Sequence, residues 1–435
     1  MLDGLRAAAR RNSDDKALRA LIRACKRLLS ERAEANSVAI AAELVQAYAQ
    51  LPEAQRPKLF DALASDFSPD PQTVLAAATA YAQAPTARHL VKLSQVAEPP
   101  RQELLRRINR APGGTACLIG MRRDLLTLLP SRPELLALEA DFLHLLSSWF
   151  NPGFLRLEKV DWQSPAQLLE QLIQHEAVHA IDGWDDLRRR LQPDRRCYAF
   201  FHPQLPGEPL IFVEVALLPD MPAAIAPLID KKSTPQERNS FKVAVFYSIS
   251  NCQPGLRGVS LGNFLIKHVA TALQRELPKL KRFCTLSPIP GLMDWLLKKP
   301  DFEALPGLKK PQLARLQAAH ALLLHSCGQD LAGLQQQSAD RPLEDPVQQA
   351  LLSLCAAFMI HQTHSPGGDP VARFHLDNGA RLERLNPAGN LARKGLRQSA
   401  GLMVNYLYDL AEVENRHERF TLGEVVHARA VAALL

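Results

Sequence analysis

Ser250-Asn251-Cys252-Gln253-Pro254-Gly255-Leu256-Arg257-Gly258-Val259-Ser260-Leu261-Gly262 stands between two segments of opposite character. Before it, residues 243–250 read VAVFYSIS, a β-branched and aromatic run of the kind that fills a buried strand. After it, NFLIKHVATALQREL (263–277) gathers Phe264, Leu265, Val269 and Leu273 on one face of a helix. A further strand at 282–286 closes the series strand, turn, helix, strand, which predicts a mixed α/β unit. Glycines let the backbone pass close to a ligand, and the first amides of a helix lack partners within it. Such a turn therefore suits a pyrophosphate, although most glycine-bearing turns are only turns. It is not an ATP-type phosphate loop, because the Gly-Lys-Ser/Thr ending is absent.

Working outward, strands are expected at 196–202 and 209–218, joined by the turn-like QLPGEP, and at 372–376. Residues 300–360 read as a helical insertion. Ahead of Asn151-Pro152-Gly153 the texture is different: from about 15 to 150 the chain is Ala/Leu-rich with apolar residues at helical spacing, as in DDKALRALIRACKRLLSERA, NSVAIAAELVQAYAQL and PEAQRPKLFDALASDF. Asn36-Ser37 is a plausible N-cap for the second of these. The expectation is an α+β protein with an all-α bundle over 1–150 and a mixed α/β domain over 151–435.

Composition narrows the function classes. The 435 residues are 47% hydrophobic and 22% charged, an ordinary globular balance. The excess of 52 Lys and Arg over 45 Asp and Glu, a formal +7, suits a nucleotide-bearing small molecule as well as a polyanion. With no recognition helix, RNA signature or aromatic-interleaved basic stripe, nucleic acid is not an expected partner. No run is long enough to span a bilayer and no signal peptide or Ser-Lys-Leu ending is present, so the expectation is a cytoplasmic protein without membrane contact. The seven cysteines contain no C-x-x-C pair and read as reduced thiols.

Arg257-Gly258-Val259-Ser260-Leu261-Gly262 resembles the pyrophosphate turn of the GNAT acetyltransferase fold, with Ser260 where a glycine is usual. The resemblance implies a coenzyme A ligand whose thioester lies along the splayed edge of the preceding strand. Three further blocks, Thr285-Leu286-Ser287-Pro288-Ile289-Pro290-Gly291, Pro370-Val371-Ala372-Arg373-Phe374-His375-Leu376-Asp377-Asn378-Gly379-Ala380 and Gly401-Leu402-Met403-Val404-Asn405-Tyr406, resemble the signatures of malonyl-CoA decarboxylases. Together with Phe246-Tyr247-Ser248-Ile249-Ser250 they extend the resemblance over the whole chain.

That resemblance implies a catalytic acetyltransferase-like domain converting malonyl-CoA to acetyl-CoA and CO2. It implies His375 as proton donor and Ser287 as proton acceptor or carboxylate-positioning group. Substrate binding falls on Arg257, Gly258, Val259, Ser260, Leu261, Gly262 and Asn263, together with Ser287, His375 and Tyr408. A glutamate in a family member stands where this chain has Ser260. A homo-oligomer, with a tetramer as the candidate, is also implied, the helical domain being its natural surface.

The chemistry can proceed without a cofactor, because the thioester carbonyl accepts the electrons of the broken C–C bond as an enolate. What remains is to stabilise an oxyanion, for which Ser250 and Asn251 amides are candidates, and to deliver a proton. Histidine with an ordinary pKa of about 6.5 is suited to the second task. Taken alone, a serine before proline is usually a turn residue and a single histidine in an apolar segment usually a core one.

Three other readings compete with this one. His175-Glu176-Ala177-Val178-His179 satisfies H-E-x-x-H on a helix expected after Ser164-Pro165, which would make a zinc peptidase, at about one chance in twenty. A CoA-dependent acyltransferase could use the same turn, and an inactive CoA-binding scaffold could keep Ser287 and His375 for structure alone.

Overall fold

The computed structural model describes residues 2–259, 261, 265–336 and 342–435, with residues 2–13 as backbone alone. The described residues form two compact units, one from 1–155, 201–209 and 253–261, the other from 156–200, 210–252 and 262–435.

The first unit is helical: α1 (Leu2–Ser30), α2 (Glu34–Gln50), α3 (Arg56–Ser65), α4 (Pro71–Gln83), α5 (Ala87–Ala97), α6 (Pro100–Asn109), α7 (Gly114–Leu128) and α8 (Leu136–Trp149). Its core is built from one stripe of each contributing helix, with Leu28, Leu44, Phe60, Leu104, Leu118 and Phe142 all buried. The expected cap at Asn36-Ser37 is corrected: α2 begins at Glu34 with Ala33 at the N-cap. The Glu31 carboxylate accepts the Arg32 and Ala33 amides at 2.9 and 2.8 Å and turns the chain ahead of that point.

The second unit carries β1 (Arg156–Val160), α9 (Ala166–His175), α10 (Gly183–Arg190), β2 (Arg195–Phe201), β3 (Pro209–Leu218), α11 (Ala226–Ile229), β4 (Val243–Asn251), α12 (Leu265–Glu276), β5 (Arg282–Thr285) and β6 (Ser287–Pro288). There follow α13 (Leu292–Leu297), α14 (Lys310–Ser326), α15 (Asp345–Ala357), α16 (Pro370–Asp377), β7 (Arg381–Asn386) and β8 (Met403–Tyr408). The strands form one sheet in the order β1-β2-β3-β4-β5-β8-β6, with β7 also paired to β8.

Two irregularities in this sheet matter for function. β4 pairs antiparallel with β3 along its whole length, and the register skips Tyr247 between the pairs Val215↔Phe246 and Glu214↔Ser248. Such a bulge re-aims the residues beyond it. On its other side β4 runs parallel to β5 only from Val243 to Phe246, where the Leu286 amide donates to the Phe246 carbonyl at 3.1 Å. Past that point the two strands separate, the splay that the acetyltransferase resemblance implies. A parallel pair needs a crossover, and α12 supplies it by burying Leu265, Ile266, Val269, Ala270 and Leu273.

One expected strand is corrected. Residues 372–376 belong to α16, not to the sheet. Asp369 accepts the Val371 and Ala372 amides at 2.9 Å each and Pro370 occupies the first turn, a strong helix start. The short apolar run VARFHL satisfies either period, and the cap decides between them.

Candidate active site

Ser287 stands where the sheet hands the chain to a rigid loop. β5 and β6 pair with β8 in one continuous register, through Phe283↔Tyr408, Cys284↔Leu407, Ser287↔Val404 and Pro288↔Met403. Pro288 and Pro290 then restrict the backbone that follows. The serine is buried, and its hydroxyl donates to Thr285 Oγ1 at 2.9 Å.

His375 approaches from α16. Asp369 caps that helix and, with its second oxygen, accepts the Gly291 amide at 2.9 Å, so one buried carboxylate links the histidine's helix to the serine's loop. The imidazole Nε2 lies 3.0 Å from Ser287 Oγ, and Nδ1 lies 2.9 Å from the Tyr408 hydroxyl. The Tyr406 ring stacks on the imidazole with centroids 4.5 Å apart and planes at 30°. Ser287, His375 and Tyr408 are thus brought together.

Burial changes the chemistry of this histidine. With no charged partner to offset desolvation, its pKa falls from the ordinary 6.5 to about 3. The free site holds a neutral imidazole with one N–H, and the expectation of an ordinary value near neutrality is corrected. Burial likewise pushes the Tyr408 phenol well above its usual range, so it stays protonated.

Ser287 and His375 face a cavity of about 310 Å³ lined mainly by apolar groups, among them Phe246, Ile249, Pro288, Val371 and Phe374. The cavity opens against the splayed stretch of β4. Antiparallel alternation, set by the Cys252 amide donating to the Leu210 carbonyl at 2.9 Å, turns the Ser250 amide toward β3 and that of Ile249 toward the splay. Of the two expected oxyanion donors, the Ser250 amide is thus turned away from the splay, whereas the Asn251 amide lies on the same side as that of Ile249. The Ser250 hydroxyl has a different duty, donating to Glu176 at 3.1 Å.

In the first unit the glycine-bearing turn packs on α7. A side chain at Gly255 would meet the Ile119 carbonyl at 2.1 Å, and Gly258 has φ +81°, which favours glycine. The buried Arg122 holds the turn by donating to the Gly255 carbonyl at 2.7 Å, with Glu139 neutralising it at 2.6 Å. Arg257 and Gly258 are exposed, while Val259 and Leu261 are buried. Ser260, Gly262 and Asn263 lie outside the described residues.

The profile of the malonyl-CoA decarboxylase C-terminal domain matches residues 153–435, and that of the malonyl-CoA decarboxylase N-terminal domain matches residues 67–150. The chain belongs to the malonyl-CoA decarboxylase family. A solved malonyl-CoA decarboxylase from Rhodopseudomonas palustris is 45% identical, with a TM-score of 0.84 over 96% of this chain and 99% of that one. The mitochondrial malonyl-CoA decarboxylase of Mus musculus is 36% identical over 88% of this chain and 82% of its own length. That of Anser anser anser is 36% identical over 72% of this chain, and the match spans 65% of the goose protein.

The H-E-x-x-H motif does not form the helical pair of histidines that the peptidase reading needs. α9 ends at His175, so His175 and His179 do not share a helical face. One Glu176 oxygen accepts the Val178 and His179 amides at 2.8 Å each, and the carboxylate also receives the hydroxyls of Ser248 and Ser250 on β4. The glutamate is committed to tying this loop to the strand that borders the cavity. Among the described residues no group of three His, Cys, Asp or Glu side chains could hold a metal ion.

Sequence reasoning passed over Thr285, Asp369, Arg122 and Tyr406, each of which works through partners distant in sequence. Only Asp369 carried a local signal, as an Asp-Pro helix start. Among the described residues no helix is long and apolar enough to cross a membrane.

Proposed function

We propose that this chain decarboxylates malonyl-CoA to acetyl-CoA and CO2, with His375 as proton donor and Ser287 as the group that accepts and aims its Nε2–H. The observation that carries the reading is the Tyr408–His375–Ser287 line, 2.9 and 3.0 Å in its two steps, facing an apolar cavity at the splayed edge of β4.

The malonyl carboxylate enters a cavity poor in charge, where its solvation is weak and the neutral product CO2 is favoured. As the C–C bond breaks, its electron pair passes to the thioester carbonyl and the carboxylate's charge becomes that of the enolate. An amide such as that of Ile249 supports the oxygen, a contribution of roughly 3–4 kcal/mol for a well-aimed donor. The Nε2 proton then moves to the carbon that lost CO2.

The reaction consumes one proton per turnover, and the site can take it up with the substrate. A carboxylate beside a buried neutral imidazole raises its proton affinity. Tyr408 accommodates both states: it donates to Nδ1 of the neutral ring, and when Nδ1 is protonated it can accept there while its own proton turns to the His375 carbonyl, 3.4 Å away. The chemistry uses neither metal nor organic cofactor, so dialysis against chelator leaves the activity intact.

Arg257, Gly258, Val259, Ser260, Leu261, Gly262 and Asn263 are assigned to the coenzyme A moiety on the family resemblance. Residues 1–150 are read as the oligomerisation domain and 151–435 as the catalytic one, in a homo-oligomer located in the cytoplasm. Sedimentation of the purified protein and fractionation of the cells that make it test those two assignments. The activity is tested by CO2 release from malonyl-CoA without any acyl acceptor, whereas turnover only upon addition of an amine acceptor identifies an acyltransferase instead.

A further inference from the structure

The hydrogen-bond partners of Ser287 determine more than its own orientation. A serine hydroxyl carries a single proton. Here that proton goes to Thr285 Oγ1 at 2.9 Å, so toward His375 the serine oxygen can only accept. Thr285 is itself held on both sides: its Oγ1 also accepts the Tyr406 amide at 3.2 Å, and its carbonyl accepts Asn405 Nδ2 at 2.7 Å. It is fully buried, so no water competes for the Ser287 proton from that side.

We infer that Thr285 is a positioning residue that fixes which nitrogen of His375 carries the proton turned to the substrate. With Ser287 as acceptor, Nε2 must be the protonated nitrogen. The bare Nδ1 then accepts from Tyr408, which agrees with the Tyr408 hydroxyl lying 2.9 Å from Nδ1 and 3.4 Å from its alternative acceptor, the His375 carbonyl. The neutral state of the buried ring makes the two nitrogens exclusive, one donor and one acceptor. When the threonine hydroxyl is removed, the Ser287 proton loses its acceptor and turns to Nε2. In the free site the ring proton moves to Nδ1, Tyr408 donates to the carbonyl and no N–H faces the cavity, so a proton taken up with the substrate must first displace the Ser287 hydrogen bond to reach Nε2.

The kinetic side of this inference rests on the decarboxylase reading, but the tautomer does not, since it is read without substrate. Nitrogen-15 NMR of the full-length protein with labelled histidine, with the His375 signals assigned by their loss in His375→Asn, measures it directly. Wild type and Thr285→Ser are expected to show a protonated Nε2 and a bare Nδ1. Thr285→Val is expected to show the reverse, with kcat for malonyl-CoA lower by about tenfold or more and KM little changed, as for a misaligned proton donor. A protonated Nδ1 in the wild type overturns the inference even where Thr285→Val does not fold. So does a folded Thr285→Val with the wild-type tautomer. A tautomer that switches as described in a protein that releases no CO2 from malonyl-CoA instead defeats the functional reading and leaves the role of Thr285 standing.

Discussion

Ser287 Oγ and His375 Nε2 meet at 3.0 Å although 88 residues separate them in the chain. Two anchors account for the meeting. The register with β8 fixes the serine, and Asp369 fixes the start of the histidine's helix while also bonding Gly291 just beyond the serine. Asp369→Ala is expected to lose all three of these hydrogen bonds, lowering stability by about 1–3 kcal/mol and kcat along with it. Asp369→Asn keeps an acceptor for the helix amides and falls between wild type and alanine. Urea unfolding and turnover measured on the same samples check this, and an alanine variant as stable as wild type contradicts the anchor.

The neutral state of His375 predicts proton uptake upon substrate binding. In the free site the pKa of about 3 leaves the ring unprotonated near neutrality, and the malonyl carboxylate raises it. Calorimetry of binding to a slow variant such as Ser287→Ala, in buffers of different ionisation enthalpy, should register a proton uptake with malonyl-CoA that grows as the pH is lowered from neutrality, and none with CoA. Equal uptake for the two ligands would count against a charge-matched site. By the same reasoning, kcat/KM should show no break at the ordinary histidine value of 6.5 attributable to the free enzyme.

Acid stability follows from two buried histidines. Burial holds both His179 and His375 near pKa 3, and for His179 the charges of Arg190 and Lys394 add to the effect. Both are neutral in the folded chain and protonate in the unfolded one below 6.5. The unfolded state therefore binds more protons, and the stability each histidine confers is complete above 6.5 and lost as pH falls toward 3. His179→Gln removes one such group, so its stability should fall less steeply with acid, by about 1.4 kcal/mol per pH unit. Parallel pH profiles for the two proteins would contradict this.

What could be read from the sequence was what lies in short-range pattern. The strand at 209–218 and the helix after the glycine turn are specified by local apolar spacing, and β3 and α12 follow it closely. The run VARFHL lacked that clarity, being too short to distinguish a strand from a helix, and the decision lay with Asp369 just outside it. Glu176 sat in a motif whose meaning depended on a helix that ends one residue earlier. Thr285 and Tyr408 gain their meaning only from the β5–β8 register, a pairing between segments more than a hundred residues apart, and nothing in either segment alone announces it. Ser287 and His375 were singled out by resemblance, because neither residue type nor spacing separates them from ordinary turn and core residues.

One reaction and one proton carry the function proposed for this chain. Incubation of the purified protein with malonyl-CoA, measuring CO2 and acetyl-CoA together, tests it against the same assay of His375→Asn and Ser287→Ala. The wild type is expected to release equal amounts of both products, and the histidine variant to be slower by at least about a hundredfold, as when a general acid is lost. The serine variant should also be slowed. Wild-type rates in both variants would contradict the roles of His375 and Ser287, and no CO2 from the wild type would contradict the function itself.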